Sequence, residues 1–131
     1  MSISKVFIVL IWCLVGVLFV VDVQARQDLD NDFLWQAAIA KTSFMTNIHK
    51  DRESRRIVAG WTEIDGKLYE LNVRIMGKEL LLENVKARVR ERLRSGQGWG
   101  IPQVNKELTL ATEAAIFERA RVLYDNSLNL N

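Results

Sequence analysis

Lys86, Arg88, Arg90, Arg92 and Arg94 are the densest run of chemistry-bearing side chains in the sequence. Cations this closely spaced suit an anionic surface or ligand. Beside an anionic bilayer each Lys or Arg contributes on the order of 1 kcal/mol, an effect that salt screens. Trp99 follows nearby and can insert beside them. Trp35, Ile39, Trp61 and Trp99 are surplus apolar positions. Aromatic side chains make good interface anchors, so these four are candidate partner-binding residues.

Catalytic chemistry lacks its parts. The sequence has one His, His49, and one Cys, Cys13, and the Cys lies inside an apolar run. A single His argues against a His-dependent triad and against a His-rich metal site. HExxH, P-loop and GxSxG patterns are absent. Glu79, Glu83 and Glu91 fall among basic residues and suit surface pairing. A glycosidase-type dyad would need a long substrate cleft. The Gly-rich loop SGQGWGIP follows an expected helix, whereas a phosphate cradle leads from a strand into one. A lone Cys also excludes an internal disulfide and a Cys-based zinc site. The expectation is therefore a non-enzyme, with no catalytic residue, metal ligand or cofactor.

The remaining question is what positions these residues. The chain has 131 residues, 18 basic and 16 acidic, and a mean hydropathy of +0.00. That average conceals two unlike parts. Val6–Val21 is apolar throughout, preceded by Lys5 and ended by Asp22 and Val23-Gln24-Ala25. A basic start, an apolar stretch and small residues before a cleavage point describe a secretory signal peptide over 1–25. An uncleaved signal anchor is the alternative. A helix over the run spans about 24 Å, against about 30 Å of hydrocarbon. Both alternatives export the remainder, as a periplasmic or secreted protein or as a single-pass membrane-anchored one. Without residues 1–25 the chain keeps 17 basic and 15 acidic residues. That balance argues against a nucleic-acid partner.

Residues 26–32 read as a polar spacer, 33–125 as one α+β domain and 126–131 as a polar tail. The spacing predicts a first helix over 33–50, with a stripe of Phe33, Ala37, Ala40, Phe44 and Ile48 and with Trp35 and Ile39 opposite it. Asp65-Gly66 between IVAGWTEI and KLYELNVRI predicts a two-residue type I′ hairpin. The implied register sets Ile64 opposite Lys67, Thr62 opposite Tyr69, Gly60 opposite Leu71 and Val58 opposite Val73. Gly60 suits close approach by a helix or a bulge. Val58, Ile64, Tyr69, Leu71, Val73 and Ile75 should face the core, and Ile57, Trp61, Glu63, Leu68, Glu70, Asn72 and Arg74 share the wetter face.

A second helix is expected over 78–94, with Leu81, Leu82, Val85, Val89 and Leu93 on its buried face. The basic cluster then faces solvent or stands on the shoulder of that stripe. Residues 104–110 suit either a third strand or the start of a last helix, which continues over 111–124. The sheet should pack one face on the helices.

Asp65-Gly66, Gly100-Ile101-Pro102 and the alternating VNKELTL, taken with this element order, resemble the BON domain family over residues 33–110. Its members are small αββαβ modules of the bacterial envelope. The resemblance implies association with an envelope surface or lipid, without catalysis. This chain departs from the pattern at Asn72, where the family usually has Gly, in a longer last loop and in its extra C-terminal helix. The functional expectation is an exported interaction protein of the cell envelope, an accessory or adaptor subunit of a secretion, conjugation or surface-assembly system. Its partner would be another envelope protein or a second copy. The alternative is a binder of an anionic membrane surface or ligand through the basic segment.

Overall fold

The computed structural model describes residues 32–129. The expected signal peptide or anchor, most of the spacer and the last residues of the tail lie outside them. The element order is α1 (Phe33–Thr42), β1 (Ile48–Asp51), β2 (Arg56–Ile64), β3 (Lys67–Ile75), a 3-10 turn (Leu82–Asn84), β4 (Val85–Arg92), β5 (Arg94–Ser95), β6 (Gly98–Trp99), β7 (Gln103–Val104) and α2 (Lys106–Asn129). The α+β class stands, with two helices among the described residues where three were expected. Five antiparallel strands form one sheet in the order β1-β2-β3-β4-β7, and β5 and β6 pair separately.

The chain first departs from expectation at the end of α1. Asp32 caps the helix by accepting from the Trp35 N–H at 3.3 Å. The Thr42 hydroxyl turns back to the Ala38 carbonyl at 2.8 Å. Asn47 then adopts a left-handed φ of 52°, and Ile48–Asp51 is a strand rather than the last turn of a helix. Gly60 permits this edge to approach, because a Cβ there would lie 3.2 Å from the Asn47 Cβ. The Gly60 N–H donates to the Asn47 carbonyl at 3.2 Å.

The Asp65-Gly66 turn has positive φ at both residues, 54° and 79°, as a type I′ turn requires. Ile64 opposes Lys67 and Thr62 opposes Tyr69, as expected. Between Ala59 and Thr62 the register shifts, so Ala59 rather than Gly60 opposes Leu71, and Ile57 rather than Val58 opposes Val73. One extra residue in β2 turns Ile57 and Ala59 toward the core.

The largest correction is the expected second helix. Val85–Arg92 is a strand paired with β3 along its whole length, from Ile75↔Val85 to Leu68↔Arg92. A hairpin alone is marginal, and β4 supplies the third strand that it needs. Strand geometry sends Val85, Ala87 and Val89 to one face and Lys86, Arg88, Arg90 and Arg92 to the other. Leu81, Leu82 and Leu93, expected in the core, are exposed.

Residues 104–110 combine both alternatives. β7 ends at Val104, and Asn105 then caps α2 by accepting from the Leu108 N–H at 2.9 Å. Part of the expected tail, up to Asn129, belongs to this helix. Both helices cover the same face of the sheet, over Ile57, Tyr69, Leu71, Val73 and Val89. Phe33 meets Tyr124 edge to face at 5.7 Å. Among the described residues no helix is long and apolar enough to cross a membrane.

β7 covers β4 only at Arg90 and Glu91, so α2 closes the rest of that edge. The Ala87 N–H donates to the Glu113 carboxylate at 2.9 Å, and the Val89 N–H to the Thr109 hydroxyl at 3.0 Å. Unpaired strand edges recruit other strands. Glu113→Ala should therefore cost about 1–2 kcal/mol in urea unfolding. It should also raise self-association in sedimentation, whereas Glu118→Ala on the exposed side should do neither.

Candidate functional site on the open face of the sheet

The face of the sheet opposite the helices is uncovered among the described residues. Its side chains follow from the pairing. One cross-strand row is Asp51, Arg56, Arg74 and Lys86; the next is His49, Val58, Asn72 and Arg88. Further along come Glu70 with Arg90, then Glu63 and Leu68 with Arg92. Trp61 joins this face at the bulge, because the Arg90 and Arg92 guanidinium groups lie over its ring at 5.7 and 5.5 Å.

The five cations singled out from sequence divide into two groups. Arg90 forms an ion pair with Glu70, and its Nε donates to the same carboxylate at 2.6 Å. The Arg92 Nε donates to the Gly100 carbonyl at 2.8 Å. Arg94 stacks over Trp99 at 4.3 Å and stands 3.6 Å from Glu63. These three hold Trp61 and the β5–β6 hairpin in place. Lys86 and Arg88 are exposed and form no ion pair with another described residue. Arg56 and Arg74, which were not singled out, join them on the same terms.

Asp51 stands opposite Arg56, but its carboxylate accepts from the Glu53 amide at 3.1 Å and the Ser54 amide at 3.5 Å. Hydrogen bonds from the Ser54 side chain and amide hold the Asp51 carboxyl below its ordinary pKa, with the Arg56 charge adding a smaller effect. On the core side, burial pushes the Tyr69 hydroxyl well above its ordinary pKa, reinforced by the charges of Glu91 and Asp65.

Arg74 opposes both Arg56 and Lys86 directly. Like charges in such positions destabilise a sheet. Arg88 lies on the diagonal from Arg74, about 7–8 Å away in an antiparallel pair. The result is a compact cationic patch with free donors for an anion. Among the described residues no group of three or more His, Cys, Asp or Glu side chains could hold a metal ion.

The apolar candidates fare unevenly. Trp35 is buried in the core and offers no anchor to a partner. α1 packs on the sheet with one side and on α2 with another, so the chain itself covers the side that carries Trp35. Ile39 is half-buried and packs against the same core. Trp61 and Trp99 are half-buried, each beneath an arginine. The sequence reading places Arg74 on the wetter face, but its two cationic neighbours emerge only when β2 begins at Arg56 and β4 stands where a helix is expected.

The BON resemblance does not survive. Its αββαβ order needs a helix where β4 runs, and the family match found is a different one. Neither a curated protein nor a solved structure matches the chain. Residues 29–125 match the family described as Domain of unknown function (DUF3576), which spans the described fold from α1 through most of α2. The chain belongs to the DUF3576 family.

Proposed function

We propose that this is an exported, non-enzymatic interaction protein of the cell envelope, an accessory or adaptor subunit that takes an anionic partner on the open face of its sheet. One observation carries this. Arg56, Arg74, Lys86 and Arg88 stand together on two adjacent rows, exposed and without an ion pair to another described residue. Cations crowded at a cost in repulsion are available to an outside anion. The pinned Arg90, Arg92 and Arg94 give the patch a rigid border with two aromatic rings.

Salt-gradient elution of the full chain from a heparin column tests this. The double variant Arg74→Ser/Arg88→Ser should elute at clearly lower salt than the wild type. Lys106→Ser/Arg121→Ser removes the same charge from α2 and should elute close to the wild type. Equal shifts for both double variants would mean that net charge alone is being read, and the open face would lose its role.

A further inference from the structure

We infer that the anionic partner of the open face is a phospholipid bilayer, met by the end of the sheet that carries Arg56, Arg74 and Lys86. This rests on the open face being an anion-binding surface. Three independent features lie at that one end.

The first is the cationic row itself, which closes the open face before the β3–β4 connection. The second is apolar. Met76 is the next position after Arg74 on the same face of the chain, and it is 51% exposed. Its N–H donates to the Asn84 carbonyl at 2.8 Å, which folds the connection alongside. That connection carries Leu81 and Leu82, also exposed at 42% and 50%. Cations beside exposed apolar side chains suit a headgroup layer, where the charges meet phosphate and the apolar groups reach the acyl boundary. A soluble anion would leave the apolar groups without a role.

The third feature is the place of Asp32, just before α1. Arg55 contacts the Asp32 carboxylate and donates to the Gly77 carbonyl at 3.0 Å, so residue 32 is held beside Met76 and Gly77. In sequence, the apolar run Val6–Val21 ends shortly before that point. The intervening residues 22–31 can span at most about 35 Å. A chain retained at the membrane by that run would present this end of the domain first.

The test uses the full chain reconstituted into vesicles. In a Cys13→Ser background, Leu82→Cys or Met76→Cys carries an environment-sensitive dye, with Glu118→Cys as the control on exposed α2. Dye at positions 76 and 82 should shift to the blue in vesicles containing phosphatidylglycerol, relative to phosphatidylcholine alone. High salt should reverse the shift, and the control position should not respond. Arg74→Ser/Lys86→Ser should weaken docking on the order of 30-fold, with the melting temperature not lowered.

A blue shift that is equal in neutral vesicles and indifferent to salt would overturn electrostatic docking. No shift at either position, in a protein whose heparin elution still depends on Arg74 and Arg88, would overturn the bilayer as partner and leave the anion-binding face standing. Loss of that heparin dependence as well would remove both.

Discussion

Val89→Asp should leave the domain unfolded at 25 °C. Val89 is fully buried, opposite Leu71 in β3 and beneath α2. The cations of β4 project to the open face, so none of them can pair with a carboxylate there. Burying an unpaired charge costs several kcal/mol. A domain of this size holds about 5–15 kcal/mol in total. The neighbouring residue should behave in the opposite way. Arg88→Val adds a strand-favouring side chain to the open face and should change stability by about 0.5 kcal/mol or less. Leu82→Ala and Leu93→Ala should fall in the same small range, because both side chains are exposed. Urea unfolding followed by circular dichroism reads all four. If Leu93→Ala cost about 2 kcal/mol or more, as a core leucine does, the segment would be helical after all.

That contrast locates what the sequence hid. Leu81, Leu82, Val85, Val89 and Leu93 fit one helical face, and Val85, Ala87 and Val89 fit one strand face. The helical template is longer and takes in more leucines. The strand template has β-branched residues and charge at every alternate place, Lys86, Arg88 and Arg90. Tertiary context decides between them, since β3 needs a second neighbour to bury Tyr69, Leu71 and Val73. The Asp65-Gly66 turn was legible because two successive positive φ angles leave few residue choices. Register was legible only as far as the bulge, because an extra residue changes which of Val58 and Ile57 points inward.

The site was legible in chemistry and illegible in geometry. Of the five cations, Lys86 and Arg88 stand exposed without an ion pair to another described residue, whereas Arg90, Arg92 and Arg94 are engaged with Glu70, Gly100, Glu63 and the two tryptophans. No local pattern reveals such pairing across strands. Trp35 misled for a related reason. A helix with one apolar stripe and a second apolar spot can be covered from two sides by its own chain, and α1 is so covered by the sheet and α2. The resemblance rests best on Asp65-Gly66 and the stretch from Gly100 to Leu110, short motifs that fit other folds, and its αββαβ order fails where β4 replaces a helix.

Arg55→Ala should cost about 2–3 kcal/mol, the second largest effect expected of a single substitution. Arg55 occupies the turn between β1 and β2 with a φ of 55°, and its side chain is 17% exposed. It joins three separate segments. The guanidinium pairs with Asp32 at the start of α1 and donates to the Gly77 carbonyl after β3, while the Arg55 carbonyl accepts from the Ile75 N–H at 2.9 Å. Removing one partner of a buried ion pair costs more than the pair itself contributes, because the other charge stays behind. Here that charge is the Asp32 carboxylate, left with the Trp35 amide. The full penalty of about 3–5 kcal/mol is reduced because the Arg55 Nε is itself buried without an acceptor. Arg55→Lys should recover only part of the loss, since an ammonium lacks the planar fork that reaches two acceptors. Asp32→Asn keeps a good helix cap but removes the charge, and should then make Arg55→Ala less costly in a double-mutant cycle. Additive costs in that cycle would show that the pair contributes nothing. The consequence extends to the open face, because Arg56 and Arg74 flank Arg55 and Ile75 directly. Loosening this joint should weaken anion binding by the folded protein without changing any residue of the cationic patch.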